Sequence, residues 1–168
     1  ILVLALVLGT WQYLGIKSPP RPGSCAVLQE KYCSKGELVE WENPYGEIKK
    51  FIAFQLPPGV TIFSPFNGMQ ESAGGARSLI NPDATITTLR NSNDPHYNPK
   101  DFVINISGDI ELQHTLQRTV RKGEGIAKVG NRGVKMLGEY NVLFSFNQQG
   151  VPSEELYKKL FPYLFPQK

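Results

Sequence analysis

The chain has 168 residues, a formal net charge of +3 from 18 Lys and Arg against 15 Asp and Glu, two cysteines and two histidines. That length carries one domain with its own core plus a tail or anchor; the mild charge gives nucleic-acid binding no support, and no phosphate loop, nucleophile elbow or dinucleotide fingerprint occurs. The 16 glycines and 13 prolines favour many short strands over long helices.

Ile1 to Ile16 is apolar apart from Thr10 and Gln12, carries no charge and does not begin with methionine. It is a partial transmembrane or signal-anchor helix in this reading, with Trp11 and Tyr13 suited to the headgroup level. A cleaved signal peptide and a buried helix of the domain are the alternatives, although no small-x-small cleavage site follows. Residues 17–24, Lys-Ser-Pro-Pro-Arg-Pro-Gly-Ser, form a stiff linker, and the domain proper spans 25–168. Cys25 and Cys33 enclose one or two helical turns. Outside the cytoplasm they form a small disulfide loop and elsewhere remain thiols, because two cysteines without a nearby histidine do not make a zinc site.

Glu37 to Trp41 and Ile48 to Leu56 read as strands joined by a turn over Glu42 to Glu47. Pro57-Pro58-Gly59 forces a turn, Val60 to Phe63 is a strand, and the Asn67-Gly68 pair predicts the positive φ angles of a tight hairpin. Thr119 to Gly130 is built alike: a basic turn, then a short alternating strand. Thr85 to Leu89 is a strand, Asn91 to Pro99 a polar loop, and Phe102 to Ile106 with Ile110 to Leu116 a predicted hairpin around Ser107-Gly108-Asp109. Val142 to Phe146 is the last strand. Ser153 to Phe161 is a helix with Ser153 as N-cap, acids in its first turn and lysines in its last.

From Phe51 onward the order of segments resembles the LytM or lysostaphin-type zinc metallopeptidases of bacterial cell walls. Phe51 to Gly68 is similar to that family's opening segment with its P-x-G-T-P-[VI]-x-[AS]-P-x-[DN]-G ending. Val120-Arg121-Lys122-Gly123-Glu124-Gly125-Ile126-Ala127-Lys128-Val129-Gly130 is similar to its V-x-x-G-[QED]-x-[IV]-G-x-x-G segment, and Tyr140 to Ser145 falls at its closing strand. The resemblance covers residues 37 to 148. It implies a mainly β fold, a β-sandwich or barrel-sandwich hybrid built as a duplicated hybrid motif, here with an N-terminal membrane helix and a short C-terminal helix.

The departures bear on function. The family needs a histidine and an aspartate four apart, plus histidines of a closing H-x-H, to hold zinc and activate water. In this register Lys49 and Ala53 take the first two positions, Asn141 and Leu143 the closing pair, and a further histidine expected near Gly108 is absent. His96 lies in the polar loop near Asp94, and His114 is a partly exposed residue of the strand Ile110 to Leu116. No cofactor or metal is therefore expected, and the resemblance implies a pseudoenzyme: a membrane-anchored, single-pass, extracytoplasmic module that binds peptidoglycan or regulates a cell-wall hydrolase. Candidate contacts are Arg118, Arg121, Lys122, Arg132, Lys135 and Tyr140, unless they are simply a solvated basic face. The alternatives are an active zinc endopeptidase with atypical ligands, a biotinyl or lipoyl carrier presenting Lys135, or an adaptor domain of a secretion protein.

Overall fold

A computed structural model of the chain describes residues 25–72, 78–92, 101–114, 116–148, 151–152 and 154–164. The expected membrane helix over 1–16, the linker over 17–24, His96 and the Ser153 cap lie outside them. Among the described residues no helix is long and apolar enough to cross a membrane. The chain enters through Cys25, which is disulfide-bonded to Cys33 with their Cα atoms 5.4 Å apart. The helix α1 (Glu30–Cys33) ends that loop.

The strands are β1 (Glu37–Glu42), β2 (Ile48–Phe54), β3 (Thr61–Phe63), β4 (Gly68–Ser72), β5 (Thr85–Arg90), β6 (Phe102–Gly108), β7 (Ile110–Leu112), β8 (Arg118–Val120), β9 (Gly125–Val129), β10 (Val142–Gln148) and β11 (Val151–Pro152). A C-terminal helix, α2 (Glu154–Leu160), follows. Antiparallel pairing orders a large sheet β1-β2-β10-β6-β5-β4-β8, with β11 on β10, and a small sheet β3-β9-β7. The fold is thus mainly β with a short terminal helix, as expected. The large sheet does not close into a barrel: its outer strands β1 and β8 do not pair with each other.

The hairpin between β1 and β2 forms because Asn43, 4% exposed, serves as its staple. Its Oδ1 accepts from the Tyr45 and Glu47 amides, both at 2.9 Å, while Gly46 takes φ +80°. The two segments alike in construction, Pro57 to Gly68 and Thr119 to Gly130, turn out to be partners. Thr61 pairs with Lys128 and Ile62 with Ala127, and the Gly59 amide donates to the Val129 carbonyl at 2.8 Å.

Two predicted hairpins are instead places where the chain changes sheets. β3 lies in the small sheet and β4 in the large one, and neither Asn67 nor Gly68 has a positive φ. Gly68 is required for another reason: a Cβ there would overlap the Arg90 carbonyl oxygen of the neighbouring strand. Likewise β6 and β7 do not pair. Gly108, at φ +146°, passes so close to the Asn141 carbonyl that a side chain would collide with it. A glycine that lets two backbones touch and one that reverses a chain are the same letter.

Side chains of both sheets join one core. Ile52, Phe54, Leu89, Ile104, Ile106 and Phe144 come from the large sheet, and Ile62, Ile110, Ile126 and Val129 from the small one. The helix α2 closes it with Leu156 and Tyr157, followed by Phe161. The Tyr157 ring lies edge-on to Phe146 with centroids 4.5 Å apart. Each such aromatic removes enough apolar surface to contribute about 1.5–3 kcal/mol. Tyr157 also donates its hydroxyl to the Lys50 carbonyl at 2.6 Å, and burial pushes its phenol pKa up.

Candidate functional site

Side chains alternate between faces along a strand, so one face of the large sheet meets the core and the other is left for something else. The register defines that second face. Trp41 pairs with Lys49, Val39 with Phe51 and Glu37 with Ala53 between β1 and β2. Leu143 of β10 stands opposite both Ala53 of β2 and Ser107 of β6, and Ser145 stands opposite Asn105. Beyond them Ile86 and Thr88 of β5 continue the rows.

One half of this face is closed. Ala53 and Leu143 are fully buried and pack with Phe51, Ala84, Val134 and Met136. The cap is the connection from β9 to β10. Asp109, itself buried, accepts from the Gly133 amide at 2.8 Å, the Val134 amide at 3.2 Å and the Arg132 Nε at 3.2 Å. Asn81 Nδ2 donates to the Lys135 carbonyl at 2.8 Å. Leu137 takes φ +43° between the bridged residues Met136 and Tyr140. The Tyr140 hydroxyl donates to Glu37 at 2.6 Å, and this hydrogen bond to a carboxylate raises its pKa.

Zinc does not fit these residues. Lys49 carries N–H donors and no acceptor and Ala53 only a methyl group, so neither side chain can ligate an ion. Ala53 and Leu143 do meet, but a methyl and an isobutyl group donate nothing. The Asn141 amide is engaged: its Oδ1 accepts from the Leu56 N–H at 2.9 Å, and its Nδ2 donates to the Leu56 carbonyl at 2.7 Å. His114 is exposed beyond β7. Among the described residues no group of three or more His, Cys, Asp or Glu side chains could hold a metal.

The other half of the face is open. A groove of about 560 Å³ runs beside the closed cluster, with Trp41, Phe51, Ile80 and Ile86 as apolar walls and Lys49, Asn105, Ser107, Ser145 and Asn147 as polar ones. Asn105 Oδ1 accepts from Thr88 at 2.9 Å. That leaves the Asn105 amide nitrogen, both serines and Asn147 as hydrogen-bonding groups facing solvent. The exposed side chains of Ile48 and Leu79 rim one end. Sequence reasoning missed these residues, although period-two alternation of Asn105, Ser107, Ser145 and Asn147 with the buried Ile104, Ile106, Phe144 and Phe146 was the signal that marks them.

The six candidate contact residues fall at opposite ends of β9. Arg132, Lys135 and Tyr140 belong to the cap, where Arg132 also donates to Thr85 at 2.9 Å and Lys135 Nζ to the Glu139 carbonyl at 3.3 Å. Arg118 opens β8, and Arg121 and Lys122 belong to the turn from β8 to β9. Arg118 is half-buried and bonds Glu124 and, at 3.0 Å, Gln70 Oε1. The Arg121 amide and then the Arg118 guanidinium hold the Glu124 carboxyl below its ordinary pKa. Arg121 and Lys122 are exposed.

No family model matches the sequence, and no curated protein matches it. Among solved structures the chain is similar to LytU, a LytM-type peptidase, with a TM-score of 0.50 and 16% identity over 87% of this chain and 93% of that one. At that identity the likeness bears on the fold alone, which is LytM-like.

Proposed function

We propose that the chain is a non-catalytic LytM-like domain that binds peptidoglycan through the open half of its sheet face, or through it engages a cell-wall hydrolase. One observation carries the reading: the Ala53–Leu143 pair is sealed in an apolar cluster at the positions the resemblance assigns to zinc ligands, while the adjacent groove keeps its polar groups free. Burying a methyl against an isobutyl group stabilises a cap and forfeits a metal centre.

Cell-wall polymer suits the groove chemically. Sugar rings present apolar faces to Trp41, their hydroxyls and peptide amides match the serines and the Asn105 and Asn147 carboxamides, and Lys49 meets a stem-peptide carboxylate. Neither Arg121 nor Lys122 lines this groove. The Cys25–Cys33 disulfide favours an oxidising, extracytoplasmic setting, and the apolar run Ile1 to Ile16 supplies the proposed single-pass anchor.

Retention on insoluble peptidoglycan, measured together with zinc content, tests this. The expected outcome is retention without zinc that is lost in Trp41→Ala/Asn147→Ala. Stoichiometric zinc with hydrolysis of the wall would overturn the non-catalytic reading, and retention unaffected by the two substitutions would remove the groove from it.

A further inference from the structure

On the opposite face of the large sheet a second cleft, of about 390 Å³, opens between α2, the connection from β3 to β4 and the start of β6. Its floor is apolar: Phe66, Phe102 and Leu160 are half-buried against the main core, and Leu156 and Ile104 lie deeper. Its rim is polar and one-sided. Lys122 and Lys159 are exposed there, and neither has a carboxylate partner among the described residues. Lys159 Nζ stands 5.9 Å from the centroid of the Phe102 ring.

Two carboxamides complete the rim, and their orientation follows from their hydrogen bonds. Asn67 Oδ1 accepts from the Lys122 amide at 2.9 Å and Asn91 Oδ1 from the Phe102 amide at 2.8 Å. Each oxygen already accepts from a backbone donor, which turns the wholly unengaged NH₂ of each side chain outward as a donor. The cleft thus has four donor groups, two of them cationic, above an apolar floor, and no acid among its lining residues.

We propose that this cleft binds a small free amphiphilic carboxylate, with its acyl or aryl part on Phe66, Phe102 and Leu160 and its acid group between the Lys122 and Lys159 ammonium groups. The volume lies in the range of small-molecule sites. The apolar residues are recessed beneath the lysines rather than projecting beyond them. A membrane surface requires the reverse arrangement, with apolar side chains outermost.

Titration of the full chain with decanoate, followed by calorimetry, decides it. Saturable binding is expected, with decanol of equal chain length at least about tenfold weaker, because the charge-assisted contacts are lost. Lys122→Ala/Lys159→Ala should weaken decanoate by about tenfold or more. Both positions are exposed, and an unchanged circular dichroism spectrum verifies the fold. Trp41→Ala in the groove should leave decanoate binding unchanged, which separates this site from the proposed wall-binding one. Equal affinity for decanol, an undiminished double variant, or no saturable binding would each overturn the proposal. So would association with phosphatidylglycerol vesicles in the absence of decanoate binding, which would assign the lysines to a membrane surface instead.

Discussion

The two halves of the outer sheet face are built on the same strands and differ by a few residues along each. In β10, Leu143 is sealed while Ser145 and Asn147 line a groove; in β2, Ala53 is sealed while Lys49 lines it. The difference comes from outside the sheet. The connection from β9 to β10 is anchored by Asp109 and folds Val134 and Met136 over one half only. A side chain's role on this face is therefore set by whether a loop covers it, and the covered half is where the family resemblance would place chemistry.

The comparison breaks hardest at Ala53. Ala53→Asp restores the carboxylate that the resemblance calls for, but puts it fully buried opposite Leu143 within an apolar cluster. An uncompensated buried charge should cost about 3–5 kcal/mol, read as a lower midpoint in urea. Added zinc should not raise that midpoint, since a ligand stabilises only by binding the folded state; recovery with zinc would mean a metal centre persists under the cap. Leu143→Ala comes next. It leaves a cavity between Ala53 and the cap and should cost about 2–4 kcal/mol without altering the groove.

Much of the architecture was legible because it rests on local rules. The strands alternate, Pro57-Pro58-Gly59 turns the chain, and the acids and lysines of α2 match its dipole. Which sheet a strand joins was not legible. Gly68 and Gly108 look like hairpin residues, and nothing local reveals that their missing Cβ makes room for the carbonyls of Arg90 and Asn141, 22 and 33 residues further along the chain. The closed half was visible as missing ligands, since Ala53 and Leu143 are wrong for zinc by type alone. The open half was not, because the Asn105 and Ser145 pair is brought together by register between strands 40 residues apart in sequence. The basic residues show the converse. Arg118 and Arg132 contribute to net charge, yet each is committed to an acid of its own.

Substitutions in the open half should sharpen the contrast by leaving stability alone. Ser145→Ala and Asn147→Ala remove groups that face solvent, so each should change unfolding free energy by no more than about 0.5 kcal/mol. Together they should weaken retention on peptidoglycan several-fold. A large loss of stability here would mean that the groove is part of the packed structure rather than a free surface.

The smallest effect is expected at the rim of the closed half, where Tyr140 bonds Glu37. Tyr140→Phe keeps the ring on the cap and removes one partly exposed hydrogen bond, so about 0.5 kcal/mol or less is expected. Its pH dependence is the more telling readout. The folded phenol has its pKa raised, by the Glu37 hydrogen bond first and by desolvation second. Its contribution is thus fully present below the unfolded tyrosine pKa of about 10 and is lost as pH rises through the higher folded value. Tyr157 is raised too, by burial, so the parent protein should lose stability in alkali through two phenols. Tyr140→Phe should lose it through one, giving a shallower decline above about pH 10. An unchanged alkaline slope would mean that the Tyr140–Glu37 contact does not hold the cap in solution, and that apolar packing around Val134 and Met136 alone keeps that half of the face shut.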